Sequence, residues 1–127
     1  MAIRLKRAYE PPAPTDGYRV LVDRLWPRGV RKDVARIDLW AKDIAPTSDL
    51  RRWFGHDPAR FSAFTTRYRQ ELARVPARAV LDTLARRAAH GMITLVYGAR
   101  DQKHNGAVVL KEEIEGALGS HAARPSC

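Results

Sequence analysis

Cysteine is almost absent from this chain: Cys127 is the only one, and it is the last residue. A single thiol excludes an intrachain disulfide, a CxxC redox pair and a thiolate zinc site. At that position it reads as an incidental free thiol and not as a nucleophile. Long apolar runs are missing too. No stretch approaches the ~20 residues that span a bilayer, and the opening MAIRLKRAYE lacks the apolar core of a secretory signal. The expectation is a cytoplasmic protein with no membrane partner. There is no GxGxxG, P-loop, GxSxG, HExxH or EF-hand spacing, so no metal is expected and no nucleotide-cofactor motif is present. Ser48, Ser62 and Ser120 lie in no triad-like arrangement.

Acidic residues are also in deficit. Fourteen of them face 23 basic ones across 127 residues, a formal charge of +9, and all but five of the basic residues are arginine. Such a balance points to polyanion partners: nucleic acid, a phosphorylated ligand or an anionic membrane surface. Composition alone accounts for it equally well, because an Arg- and Ala-heavy chain also follows from a GC-rich genome.

The length suits one domain around one core. Residues 3–8 and 18–22 read as strands, separated by the Pro-rich loop EPPAPTDG (10–17). Residues 35–44 alternate at Ile37 and Leu39 and are expected to form a third strand, although Trp40, Ala41 and Ile44 would also suit a helical turn. Thr47 or Ser48 caps a short helix that Gly55 stops. Asp57-Pro58 starts a helix with Phe61, Phe64, Tyr68 and Leu72 on one face. Pro76 opens another, with Val80, Leu81, Leu84 and Ala88 inward and Gly91 as its expected C-cap. MITLVY (92–97) reads as a central strand, and Asn105 caps the last helix. The fold class is single-domain α/β, a small open, mostly parallel sheet with helices packed on it, over residues 1–118. Residues 119–127 are expected to be a disordered tail.

In open α/β sheets ligands bind beyond the carboxyl ends of the strands. Three segments meet that description. Asp23, Arg24, Arg28 and Gly29 follow the second strand, and Lys42 and Arg51 follow the third. Tyr97, Arg100, Asp101, His104 and Asn105 surround the end of the last. Arginine forks suit carboxylate and phosphate oxygens. Asp23 is a candidate base or arginine orienter, and His104 is the candidate group titrating near neutrality. His56 in WFGHD is a candidate pocket wall. A purely structural reading stands beside each: Asp23, Arg24 and Arg28 as an ion-paired clasp, Trp26-Pro27 as a plug, and His56 as part of a chain reversal.

The stretches YRVLVDRLWPRG (18–29), IDLWAKDIAPTSDLRRWFGHD (37–57), RYRQEL (67–72) and ITLVYGARDQKHNGAVVLKE (93–112) resemble the YeaO-like branch of a bacterial family, domain of unknown function 488. The resemblance implies no settled activity, substrate or cofactor. Other branches carry a Cys-His-Arg cluster after the last strand; this chain has HNGA (104–107) there, so thiol chemistry is not expected. The preferred expectation is an anionic small-molecule site at the carboxyl edge of the sheet. One alternative is a nucleic-acid binder using Arg60, Arg67, Arg69, Arg74, Arg78, Arg86 and Arg87. Another is a tetrapyrrole module in which His56 or His104 ligates iron.

Overall fold

Alternating Ile3 and Leu5 form β1 (Ile3–Arg7), and the apolar run after Tyr18 forms β2 (Tyr18–Leu21). The buried run ITLVY is β4 (Ile93–Tyr97). In this computed structural model, which describes residues 3–123, every strand pair is parallel and the sheet order is β1-β4-β2-β3. β4, last in sequence, thus enters the centre between β1 and β2. Ile3, Ile93 and Tyr18 share one row, and Leu5, Leu95 and Val20 the next. That face of the sheet joins the core formed with α2 (Ser48–Phe54), α3 (Phe61–Leu72), α4 (Ala77–Ala88) and α5 (Gly106–Ala123). The opposite face carries Arg4, Lys6, Arg19 and Thr94 around the buried Asp16.

The expected third strand shortens to two residues, β3 (Leu39–Trp40), paired with β2 alone. The segment before it coils into α1 (Lys32–Ala35), which ends at Arg36 with φ 51°. The segment after it turns through 3-10 geometry at Lys42–Ile44. Ala41, Ile44 and Ala45 are all buried. Their spacing is that of a turn and not of a pleat, so the chain leaves the sheet to bury them.

Most of the capping expectations match the observed backbone. The Thr47 hydroxyl accepts from Leu50 N–H at 3.3 Å, and Gly55 closes α2 in the left-handed region. The Asp57 carboxylate accepts from Ala59 N–H, opening a 3-10 turn that runs into α3. Gly91 is not the C-cap of α4. The helix closes at Ala89 in right-handed geometry, and His90 N–H bonds back to Arg87 C=O, so no left-handed residue is needed. The tail expected over 119–127 begins inside α5, and its last four residues lie outside the described residues.

Gly17 is the one glycine whose missing side chain the sheet requires. It has φ 64°, and a Cβ there would sit 2.3 Å from the Met92 carbonyl oxygen, which already accepts from Tyr18 N–H. Gly17→Ala is expected to lower the unfolding free energy by about 2 kcal/mol, through backbone strain and a displaced start of β2. A urea unfolding midpoint indistinguishable from the parent protein would refute this.

Candidate functional site

Where β2 ends, Val22 N–H still bonds Val96 C=O, and the next residue turns its carboxylate across the sheet edge. Asp23 Oδ2 accepts the Gly98 N–H at 2.8 Å, tying the exit of β2 to the exit of β4. A Cβ on Gly98 would approach that oxygen to 3.2 Å, so glycine suits this close passage. The Asp23 carbonyl is held as well, by Trp40 Nε1 at 2.8 Å. Trp26 meets Trp40 edge-to-face at 5.4 Å and donates its own Nε1 to Val30 C=O. Arg24 reaches across to the carbonyls of Pro46 and Ala45. DRLWPRG is therefore stapled by an indole pair, one carboxylate and one guanidinium.

This stapled loop forms one wall of a cavity of about 820 Å³. Val22, Phe54, Phe64, Tyr97 and Ala107 supply apolar lining from the sheet edge and from α2, α3 and α5. Asp23, Arg24, Arg28, Arg51, His56 and Arg100 supply much of the polar lining. The cavity also meets the start of α5. There Asn105 is buried, its Oδ1 accepting from Val108 N–H and its Nδ2 donating to Asp101 C=O. That bond pattern caps the helix and locks the loop from 101 to 105 at once.

The cationic members differ in how they are engaged. Arg24 is committed to backbone carbonyls. Among the described residues, the guanidiniums of Arg28, Arg51 and Arg100 form no hydrogen bond or ion pair with protein, and all three residues are exposed. His56 is exposed with φ 56°, its ring 6.3 Å from Phe54. Burial pushes the Asp23 carboxyl above the usual carboxylate range, opposed by the Gly98 N–H and by the charges of His56 and Arg51. Burial likewise raises the Tyr97 phenol, with Glu10 adding to it and Arg7 and Asn105 opposing.

Three candidates from the sequence do not line the cavity. His104 turns to Asp101, Nδ1 lying 2.9 Å from Oδ2, and packs edge-on against Phe61 at 5.2 Å. The Lys103 N–H, followed by the His104 side chain, holds the Asp101 carboxyl below its ordinary range. This pair pins the loop. Of the two histidines considered as iron ligands, only His56 borders the cavity. Lys42 places its ammonium 3.9 Å from the Trp40 ring centroid, outside the lining, and Gly29 is an exposed turn residue with φ 80°. Conversely, Phe64, which the sequence places on the apolar face of its helix, belongs to the lining, and Phe54 lies there beside it. Helical spacing marks a face as apolar without saying whether a cavity or a neighbour covers it.

The arginines considered for nucleic acid are largely engaged by protein. Arg69 pairs with Glu112 and Glu113, Arg78 pairs with Asp82, and Arg67 and Arg87 lie over the rings of Trp53 and Tyr18. No described helix is long and apolar enough to cross a membrane.

A family model described as the inactive DUF488-N3 subclade, DUF488-N3i, matches residues 2–127. An uncharacterized protein of Mycobacterium tuberculosis strain H37Rv is 43% identical over 114 residues, covering 90% of this chain and 94% of its own length. The uncharacterized protein YeaO of Escherichia coli K12 is 39% identical over 112 residues, covering 88% of this chain and 96% of its own length. No solved structure matches.

Proposed function

From the premise that the chain belongs to the DUF488 family, in its YeaO-like branch, we propose that it binds a small organic anion, phosphorylated or carboxylated, in the cavity at the carboxyl edge of its sheet. The observation that carries this reading is the set of three guanidiniums without partners among the described residues. Arg28, Arg51 and Arg100 come from three separate segments and converge on the rim of one cavity with an apolar floor. Like charges held around a hollow repel one another, and an anion placed between them removes that repulsion while gaining charge-assisted hydrogen bonds. The apolar floor accepts a hydrocarbon or aromatic body, and the volume falls in the range of ordinary small-molecule pockets. The description of the matching subclade as inactive favours binding over turnover, so the role assigned to Asp23 is recognition and not proton transfer.

Thermal unfolding with phenyl phosphate and with phenylacetate tests the reading. At least one of the two raises the Tm of the parent protein in a concentration-dependent way. Arg28→Ala and Arg100→Ala each weaken that response by roughly tenfold in apparent Kd, the loss of one charge-assisted contact, and leave the ligand-free Tm nearly unchanged because both residues are exposed and unpaired. Absence of stabilisation by either compound at millimolar concentration, or variants that respond like the parent, would overturn it.

A further inference from the structure

A cavity rimmed by arginines also holds a carboxylate in its wall, and that carboxylate is fixed in place. Asp23 Oδ2 accepts from Gly98 N–H, and the Asp23 main-chain carbonyl accepts from the Trp40 indole, so two bonds hold the residue at the cavity wall. Its other oxygen, Oδ1, takes no hydrogen bond from the described residues, yet it is not sealed from solvent. Gly98 N–H serves only Oδ2, the charges acting on the carboxylate are those of Arg51 on α2 and His56 just after it, and the Tyr68 phenol on α3 senses it in turn. Tyr68 cannot serve Oδ1, because its hydroxyl donates to Ile44 C=O at 2.6 Å.

A bare carboxylate beside an anion site is a selectivity element. An acceptor-only anion held by Arg51 would set its own lone pairs against those of Oδ1. An anion that carries a proton on oxygen or nitrogen next to its charge would donate to Oδ1 and leave both partners satisfied. We propose that Asp23 makes this cavity selective for an anion bearing its own hydrogen-bond donor, namely phosphate or a phosphate monoester in its protonated form, against sulfate or a sulfonate, which has none. The proposal rests on the anion-binding reading of the same cavity and adds the identity of the ion. Its direction runs opposite to simple charge attraction, since near neutral pH sulfate is fully dianionic while phosphate is partly monoanionic. Because burial raises the Asp23 carboxyl, acid converts it to a donor that sulfate can accept, and the discrimination narrows as pH falls.

Calorimetric titration of the full chain with sodium phosphate and with sodium sulfate, at pH 7.5 and matched ionic strength, provides the test. The parent protein binds phosphate at least roughly tenfold more tightly than sulfate, the cost of one acceptor left unmatched once the bound ion keeps water from it. In Asp23→Asn, whose amide oxygen can still accept from Gly98 N–H while its NH2 donates outward, sulfate binds at least as well as phosphate. Equal affinities in the parent, or discrimination retained in the variant, would sink the selectivity proposal and leave anion binding intact. Binding of neither phosphate nor sulfate, together with no response to phenyl phosphate or phenylacetate, removes the anion-binding reading and the selectivity with it. Binding of an aromatic anion without either inorganic ion removes the selectivity alone. If Asp23→Asn does not fold, the parent titrated with methylphosphonate and with methanesulfonate decides, two ions of like shape of which only the first carries a proton on oxygen. Tighter binding of methylphosphonate supports the proposal, and equal affinities refute it.

Discussion

Asp16→Ala is expected to cost about 3–5 kcal/mol of folding stability, the penalty of stripping one partner from a buried ion pair. Asp16 is 0% exposed. Its carboxylate accepts from Lys6 Nζ at 3.1 Å to each oxygen, from Arg19 Nη1 at 2.6 Å and from Ala13 N–H at 3.0 Å. Its main-chain carbonyl accepts from the buried Thr94 hydroxyl. Arg19 is itself only 3% exposed, with Nε on Ala35 C=O and Nη2 without a partner among the described residues. Removing Asp16 strands that guanidinium under the sheet with one backbone acceptor left. Urea unfolding at pH 7 measures the effect, and a loss below about 1 kcal/mol, the scale of an exposed pair, would show that water reaches Arg19.

The same carboxylate gives the protein an acid-sensitive step. Burial alone would raise its pKa, but the Ala13 N–H, Lys6 and Arg19 outweigh burial and hold it below the ordinary carboxylate value. A group whose pKa is lower folded than unfolded contributes stability that is fully present above its unfolded pKa of about 3.9. That contribution is lost as pH falls through the folded value. Stability of the parent protein therefore drops below about pH 4, and in Asp16→Asn the part of this drop owed to residue 16 disappears.

Phe64→Ala is expected to cost about 3 kcal/mol, at the lower end of the range for truncating a buried aromatic. Phe64 is 2% exposed and stacks on Phe54 with centroids 4.4 Å apart and planes 25° apart; Tyr68 lies 5.6 Å beyond. It also borders the cavity at the carboxyl edge of the sheet, so the space left by its ring joins a solvent-reachable volume instead of becoming a sealed void. That is why the low end applies. Chemical denaturation gives the stability. Titration with phenyl phosphate gives the second readout, with weaker binding of the phenyl group expected because the floor recedes. A cost under about 1 kcal/mol would mean that α2 and α3 close over the gap.

Within this protein, what the sequence determined by itself was what nearest neighbours decide. Thr47, Gly55, Asp57 and Asn105 mark helix ends because a cap bonds backbone groups two to four residues away. The apolar run at 93–97 marks a buried strand for the same local reason, and the polar, Arg-bearing segments after each strand point to the carboxyl edge. Tertiary structure decided the rest. Insertion of β4 between β1 and β2 follows from pairing of Ile93 with Tyr18 and with Ile3, across 75 and 90 residues, which no local period encodes. β3 stops after two residues because Ala41 and Ile44 gain more by burial against the helices than by extending an edge pairing. His104, plausible in sequence as a cavity group, turns to Asp101 because that carboxylate lies three residues away in the same loop and Phe61 packs against the ring. Arg24 and Arg28, four residues apart in one heptapeptide, part company for a similar reason. Carbonyls of Ala45 and Pro46 lie within reach of the first, and the described residues offer the second no acceptor, which leaves Arg28 on the rim of the cavity while Arg24 holds its wall. Residue type set what each side chain can do; only the packing of distant segments set what each one meets.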